Sequence, residues 1–176
     1  MNCKGLVHIY FGDGKGKTTA SVGLAVRCAG AGGKVLFSQF MKDGSSSEIC
    51  VLKQIDGITV TDGYSKAKFT RFMTDEEHIE AREYYSNEFE RVTKKAEDEN
   101  FDLLILDELI NAVDKNYVEL DRVIEFIENK PEGLEIVMTG RNPDRKLFDY
   151  ADYVSDIIKI KHPFDKGIGS RIMIEK

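Results

Sequence analysis

The run LVHIYF, Leu6 to Phe11, is short and apolar and stops at a glycine; the next eight residues read GDGKGKTT, Gly12 to Thr19. From Thr18 to Ala29, small and apolar residues then recur at helical intervals. Strand, glycine-rich loop and helix in immediate succession restrict the chain to α/β architectures built from βαβ units, and they put the loop at the carboxyl edge of the sheet, where such folds bind ligands.

The rest of the sequence repeats the alternation. Lys34 to Phe40 (KVLFSQF) reads as a second strand, MKDGSSS from Met41 as a loop, and Ile58 to Thr61 as a third, shorter strand. Thr74 opens a long helix: Glu77 completes a capping box, and Ala81, Tyr85, Phe89, Val92 and Ala96 fall on one face. Leu103 to Leu106 is continuously apolar, as a strand buried on both faces must be, and it ends in Asp107 and Glu108. A helix around Tyr117 to Asn129 stops before Pro131, Leu134 to Thr139 makes the next strand, and Pro143 starts a further helix. Ile157 to Ile160 and Arg171 to Ile174 read as late strands. The expectation is one α/β domain over residues 1–176, a mostly parallel sheet with helices on both faces and right-handed crossovers.

The loop carries its own chemistry. Glycines let consecutive backbone N–H groups converge on phosphate oxygens, the following helix turns its positive end toward them, Lys17 adds a full charge, and the Thr18 hydroxyl can ligate Mg2+. In the usual GxxxxGK[ST] spacing the first glycine would fall at Phe11, so this loop, Gly12-Asp13-Gly14-Lys15-Gly16-Lys17-Thr18, is one residue shorter and tighter. A plain glycine turn with a surface lysine is the competing explanation, and the flanking strand and helix argue against it. A carboxylate at the end of a central strand sits where it can hold the metal directly or through water. Asp107 and Glu108 point to opposite sides of the strand, so one of them does this, and either can. TGRN, Thr139 to Asn142, follows another strand and offers Arg141 either to phosphate oxygens or to a surface ion pair.

Charge limits the partners. With a formal net charge of -6, the 176-residue chain has no general attraction for nucleic acid or anionic membrane, so a polyphosphate must be held by local charge. Cys3, Cys28 and Cys50 form neither a CxxC pair nor a metal-ligand spacing and read as reduced thiols. No apolar run reaches membrane-spanning length and no secretory signal opens the chain, which points to the cytoplasm.

Taken together, GDGKGKTTASVGLAVRCAGAGGKV, QFMKDG (Gln39 to Gly44), LLILDE (Leu103 to Glu108), TGRN and KHPFDKGI from Lys161 resemble the ATP:corrinoid adenosyltransferases, from about Leu6 to the C-terminus. The resemblance implies a P-loop NTPase-like, RecA-like fold whose shortened loop grips a triphosphate that leaves whole, with the nucleotide reversed relative to ordinary P-loop enzymes. It implies that Co(I) of cob(I)yrinic acid a,c-diamide or cob(I)alamin attacks the 5′ carbon of ATP. By motif, Gly12, Asp13, Gly14, Lys15, Gly16, Lys17, Thr18 and Thr19 would bind the triphosphate, with Arg27 and Arg141 on other parts of ATP. Thr18 with Asp107 or Glu108 would hold Mg2+, and Lys17, Thr18 and Glu108 would carry the catalytic stabilisation. Arg27 lies roughly 15 Å of helix rise beyond Lys17, where an arginine also complements the helix dipole.

In the family an aromatic pair packs below the corrin ring and displaces the lower axial ligand, easing reduction of Co(II). Here that region reads KFTRFMT: Phe69 matches the first aromatic, Arg71 stands where the family often has tryptophan, and Phe72 is the candidate substitute, against the alternative of an ordinary hydrophobic contact. His162 reads as a hydrogen-bonded histidine and not a ligand. The resemblance also implies a homodimer and a reductase or flavoprotein electron donor, although the chain begins close to its first strand, without the N-terminal extension that in some relatives covers the neighbouring subunit's site. Two other functions compete: a small P-loop kinase or nucleotide hydrolase, which would yield ADP, and a nonenzymatic module delivering nucleotide or corrinoid, which the missing tryptophan favours.

Overall fold

A computed structural model describes residues 4–68 and 70–175. Six strands, β1 (Val7–Phe11), β2 (Val35–Gln39), β3 (Ile58–Val60), β4 (Leu103–Asp107), β5 (Glu135–Thr139) and β6 (Tyr153–Asp156), form one sheet in the order β3-β2-β4-β5-β1-β6. Every pairing is parallel. Five α-helices cover it: α1 (Lys17–Gly30), α2 (Ser47–Leu52), α3 (Asp75–Asp98), α4 (Leu109–Asp114) and α5 (Leu120–Asn129).

The period-2 alternation of strands sorts the core into two layers. Leu104 and Leu106 of β4 join Leu36, Ile136 and Met138 on the face covered by α3, α4 and α5. Leu103 and Ile105 join Val35, Phe37 and Val137 on the face packed by Ala25 of α1 and by Ile49 and Leu52 of α2. All five β4 residues are buried, which accounts for its unbroken apolar run. Each fully buried Leu or Ile contributes about 1.5–3 kcal/mol of transfer free energy. The α3 register is the expected one: Ala81, Tyr85, Phe89, Val92 and Ala96 are buried, and Thr74 and Glu77 exchange the hydrogen bonds of a capping box.

Three sequence expectations are corrected. The late strand is Tyr153–Asp156 and not Ile157 to Ile160: β6 pairs with β1 as far as Phe11↔Asp156, and beyond Phe11 its partner turns into the glycine loop, so the ladder has nothing to continue on. Arg171 to Ile174 forms a turn with Met173 in the left-handed region, not a strand. The segment from Pro143 is a 3-10 helix, Arg145–Tyr150, capped by the Asp144 carboxylate. α2 and α4 are short helices with no independent signature in the sequence.

Candidate active site at the carboxyl edge of the sheet

Sheet order decides what meets what. β1 delivers the glycine loop, and β5 stands between it and β4, so the carboxyl ends of β2, β4, β5 and β1 lie side by side. Registers Gln39↔Asp107 and Tyr10↔Thr139 bring the last residues of β2 and β4 level with each other, and the last residue of β5 level with the next-to-last of β1.

The loop is shaped by glycine where no other residue fits. Gly12 has φ 107, and a Cβ there would stand 2.4 Å from Asp156 Oδ1; Gly16, immediately before α1, has φ 126. Gly14 N–H donates to the Ile157 carbonyl at 2.6 Å, tying the loop to the segment after β6. Lys17 is nearly buried, and its ammonium donates back to the carbonyls of Gly12 (2.6 Å) and Gly14 (2.8 Å). Burial pulls its pKa down, and Arg141 pulls the same way. Lys15 reaches the other side, donating to the Ile174 carbonyl at 3.0 Å and pairing with Glu175 at 3.1 Å. Arg171 in turn holds the Glu175 carboxylate well below its usual range. Asp13 pairs with Arg141 at 3.2 Å, an exposed contact worth little.

Between the two carboxylates left open by the sequence, the geometry distinguishes clearly. Asp107 has no exposed surface, and it accepts from Thr18 Oγ1 (2.9 Å) and Thr139 Oγ1 (2.7 Å) on Oδ1, and from Lys42 Nζ (2.9 Å) and Gln39 Nε2 (3.2 Å) on Oδ2. Glu108 adopts φ 61, a left-handed conformation that costs a non-glycine residue of order 1–3 kcal/mol. It is held there by its N–H on Thr139 Oγ1 (2.9 Å) and by a contact between its carboxylate and the Asn111 amide. Burial, then the neighbouring Asp107, push its pKa up, while Lys42, Lys17 and Arg141 oppose. Those three cations and two carboxylates therefore share one electrostatic neighbourhood.

Gln39, Lys42, Glu48 and Thr139 were not singled out by sequence reasoning. The signal was present: β2, β4 and β5 each end in a polar residue, Gln39, Asp107 and Thr139, after apolar ones, and QFMKDG lies at the end of β2. Gln39 Nε2 also donates to Glu48 (3.1 Å), leaving Gln39 Oε1 buried without a partner. Burial alone would lower the Lys42 pKa, but the charge and hydrogen bond of Asp107 outweigh it and the net direction is up.

Other expected residues lie apart. Thr19 and Arg27 are exposed on α1, Arg27 in its last turn. Phe72 is 63% exposed on a 3-10 turn, with the Arg71 guanidinium 4.6 Å from its ring centroid. Phe69 lies outside the described residues. His162 caps the 3-10 helix Pro163–Lys166 by accepting the Phe164 N–H on Nδ1 at 3.1 Å. Lys161, His162 and Pro163, with Gly14, Lys15 and Arg171, line a cleft of about 320 Å³ beside the loop.

Comparison with known proteins fixes the family. The family model of ATP:corrinoid adenosyltransferases BtuR/CobO/CobP matches residues 3–175. The chain belongs to this family. The corrinoid adenosyltransferase of Escherichia coli K12 is 30% identical over 173 residues, 98% of this chain and 86% of that protein. Corrinoid adenosyltransferase CobA of Salmonella typhimurium LT2 gives the same identity and coverage. Among solved structures, EssC (ATPases 2 and 3) from Geobacillus thermodenitrificans superposes with a TM-score of 0.50 at 14% identity, covering 97% of this chain and 36% of that one. The cytoplasmic domain of EssC gives 0.52 at 18%, covering 98% and 37%. The chain thus spans little more than a third of these ATPases, and the likeness is one of fold: a P-loop NTPase-like parallel sheet. As a family member the chain is a transferase with ATP and a corrinoid as its substrates. No helix among the described residues is long and apolar enough to cross a membrane.

Proposed function

We propose that the protein transfers the 5′-deoxyadenosyl group of ATP to Co(I) of a corrinoid, cob(I)yrinic acid a,c-diamide or cob(I)alamin, and releases intact triphosphate. The observation that carries this reading is the short loop, with Lys17 and Thr18 at its end, facing Asp107 across the carboxyl edge of the sheet. Co(I) is itself a strong nucleophile. The reaction therefore needs no general base, and catalysis consists of aligning the 5′ carbon with cobalt and stabilising the charge that develops on the departing triphosphate.

Each group has a place in that scheme. The backbone N–H groups from Gly12 to Thr18, with Lys15 and Lys17, bind the triphosphate; Asp13 and Thr19 border it, and Arg141 is within reach once it exchanges Asp13 for phosphate. Arg27 serves the far end of a reversed nucleotide. Among the described residues no three His, Cys, Asp or Glu side chains form a metal cage. A hydroxyl, one or two carboxylates and phosphate oxygens are nevertheless the donor set Mg2+ takes, and the orphaned Gln39 Oε1 suits one of its waters. Thr18 and Asp107 would hold the ion, with Glu108 beside them, and it would supply charge neutralisation on the leaving group. Phe72, with Phe69, is the proposed apolar floor under the corrin. The same reading makes the chain a single catalytic domain, active as a homodimer in the cytoplasm with a reductase or flavoprotein supplying the electron to cobalt.

The test is the identity of the phosphorus product. ATP, Mg2+ and excess Co(I) corrinoid, followed by phosphorus NMR, should give triphosphate in step with adenosylcorrinoid; stoichiometric ADP would instead establish the kinase or hydrolase alternative.

A further inference from the structure

Lys42 lies on the irregular segment after β2, next to Met41 at φ 58, and its ammonium reaches inward to a fully buried carboxylate. Nζ stands 2.9 Å from Asp107 Oδ2 and 3.8 Å from Glu48 Oε1. Gln39 Nε2 bridges the same two carboxylates, and its own oxygen, Oε1, is left buried and unpartnered. The ammonium thus makes one side-chain hydrogen bond, to the carboxylate that also pairs with Thr18, while Glu48 and the buried Gln39 oxygen receive none from it.

Asp107 accepts from Thr18, Thr139 and Gln39, three neutral donors, and Lys42 takes the remaining one of its about four acceptor sites, as the positively charged member of the set. Lys42 keeps about a quarter of its side chain exposed, at 26%, so it can withdraw along its flexible stem. What it supplies is charge, one carboxylate away from the phosphate-loop threonine.

We propose that Lys42 is a resident counter-ion of the metal place: it neutralises Asp107 before the metal arrives, yields that carboxylate to the divalent cation, and then presents its charge to the triphosphate. One side chain thereby couples metal binding to triphosphate binding. The inference rests on the phosphate-loop site proposed above and adds Lys42 to the groups that meet the triphosphate.

The test uses Mn2+ as the probe, its free concentration read by electron paramagnetic resonance, with the full chain as wild type, Lys42→Met and Lys42→Gln. Gln keeps a hydrogen-bond donor for Asp107 while removing the charge, which guards against a folding failure in the Met variant; circular dichroism checks both. With the opposing cation gone, both variants should bind Mn2+ alone roughly tenfold more tightly than wild type. The advantage ATP gives to Mn2+ binding should shrink by a comparable factor, because the triphosphate has lost a charge. Unchanged or weaker Mn2+ affinity in folded variants overturns the assignment. Wild type that fails to bind Mn2+ with ATP refutes the phosphate-loop reading itself, so the two failures are told apart.

Discussion

Replacing Thr139 by valine keeps the shape of a completely buried side chain and removes one oxygen that does two jobs. Oγ1 donates to Asp107 Oδ1 at 2.7 Å and accepts the Glu108 N–H at 2.9 Å. A hydrogen bond to a charged group is worth about 1.5–3 kcal/mol, and an N–H left without its partner costs about 1–3 kcal/mol. The added methyl recovers part of this, so the expected loss is about 3 kcal/mol. For a chain of 176 residues this lowers Tm by roughly 6–12 °C. The Glu108 N–H is one of the contacts that hold its left-handed backbone, and Asp107 loses one of two donors on Oδ1, so ATP affinity in Mg2+ should also fall, by roughly tenfold. Urea unfolding and isothermal titration read the two effects. Thr139→Ser keeps the hydroxyl and should cost only about 1 kcal/mol for the lost methyl. A valine variant as stable as wild type, or a serine variant as unstable as the valine one, refutes the reasoning.

Further substitutions separate the roles of the loop and of the proposed corrin floor. Lys17→Ala removes contacts to loop carbonyls only, so the circular dichroism spectrum should be retained while ATP-dependent activity falls by at least about 100-fold; Thr18→Ala should do the same through Asp107, and near wild-type rates in both would remove the phosphate-loop assignment. Phe72→Ala should leave stability within about 0.5 kcal/mol, since the ring is mostly exposed. It should slow adenosylation when Co(II) must be reduced in the site and have little effect when preformed Co(I) is supplied; equal loss under both conditions would assign Phe72 to general corrinoid binding.

The alternation of apolar runs with helical periods made the parallel sheet legible, because βαβ folding leaves its mark as period and punctuation along the chain. The capping box at Thr74 and the buried face of α3 were local patterns and could be read locally. What escaped was non-local. Lys42 and Gln39 belong to the site because β2 and β4 are neighbours in register, a fact of strand order that no short window contains. The choice of Asp107 over Glu108 as the partner of Thr18 likewise needed the Thr139 hydroxyl, which arrives from β5 and places a bond on each of them. The end of the chain misled for a different reason: Ile158, Ile160, Ile172 and Ile174 have the β-branched composition of strands, but beyond Asp156 they have no partner edge and stay exposed. Lys15 meets Glu175 across most of the length of the sequence, a contact no spacing rule anticipates.

The central claim is that cobalt attacks carbon and that phosphorus is left alone. ATP carrying carbon-13 at the 5′ position, turned over with Co(I) corrinoid, tests it directly. The label should appear in a cobalt-bound methylene of the corrinoid, one per triphosphate released. Label that stays in ADP or AMP while the corrinoid is unalkylated would contradict it.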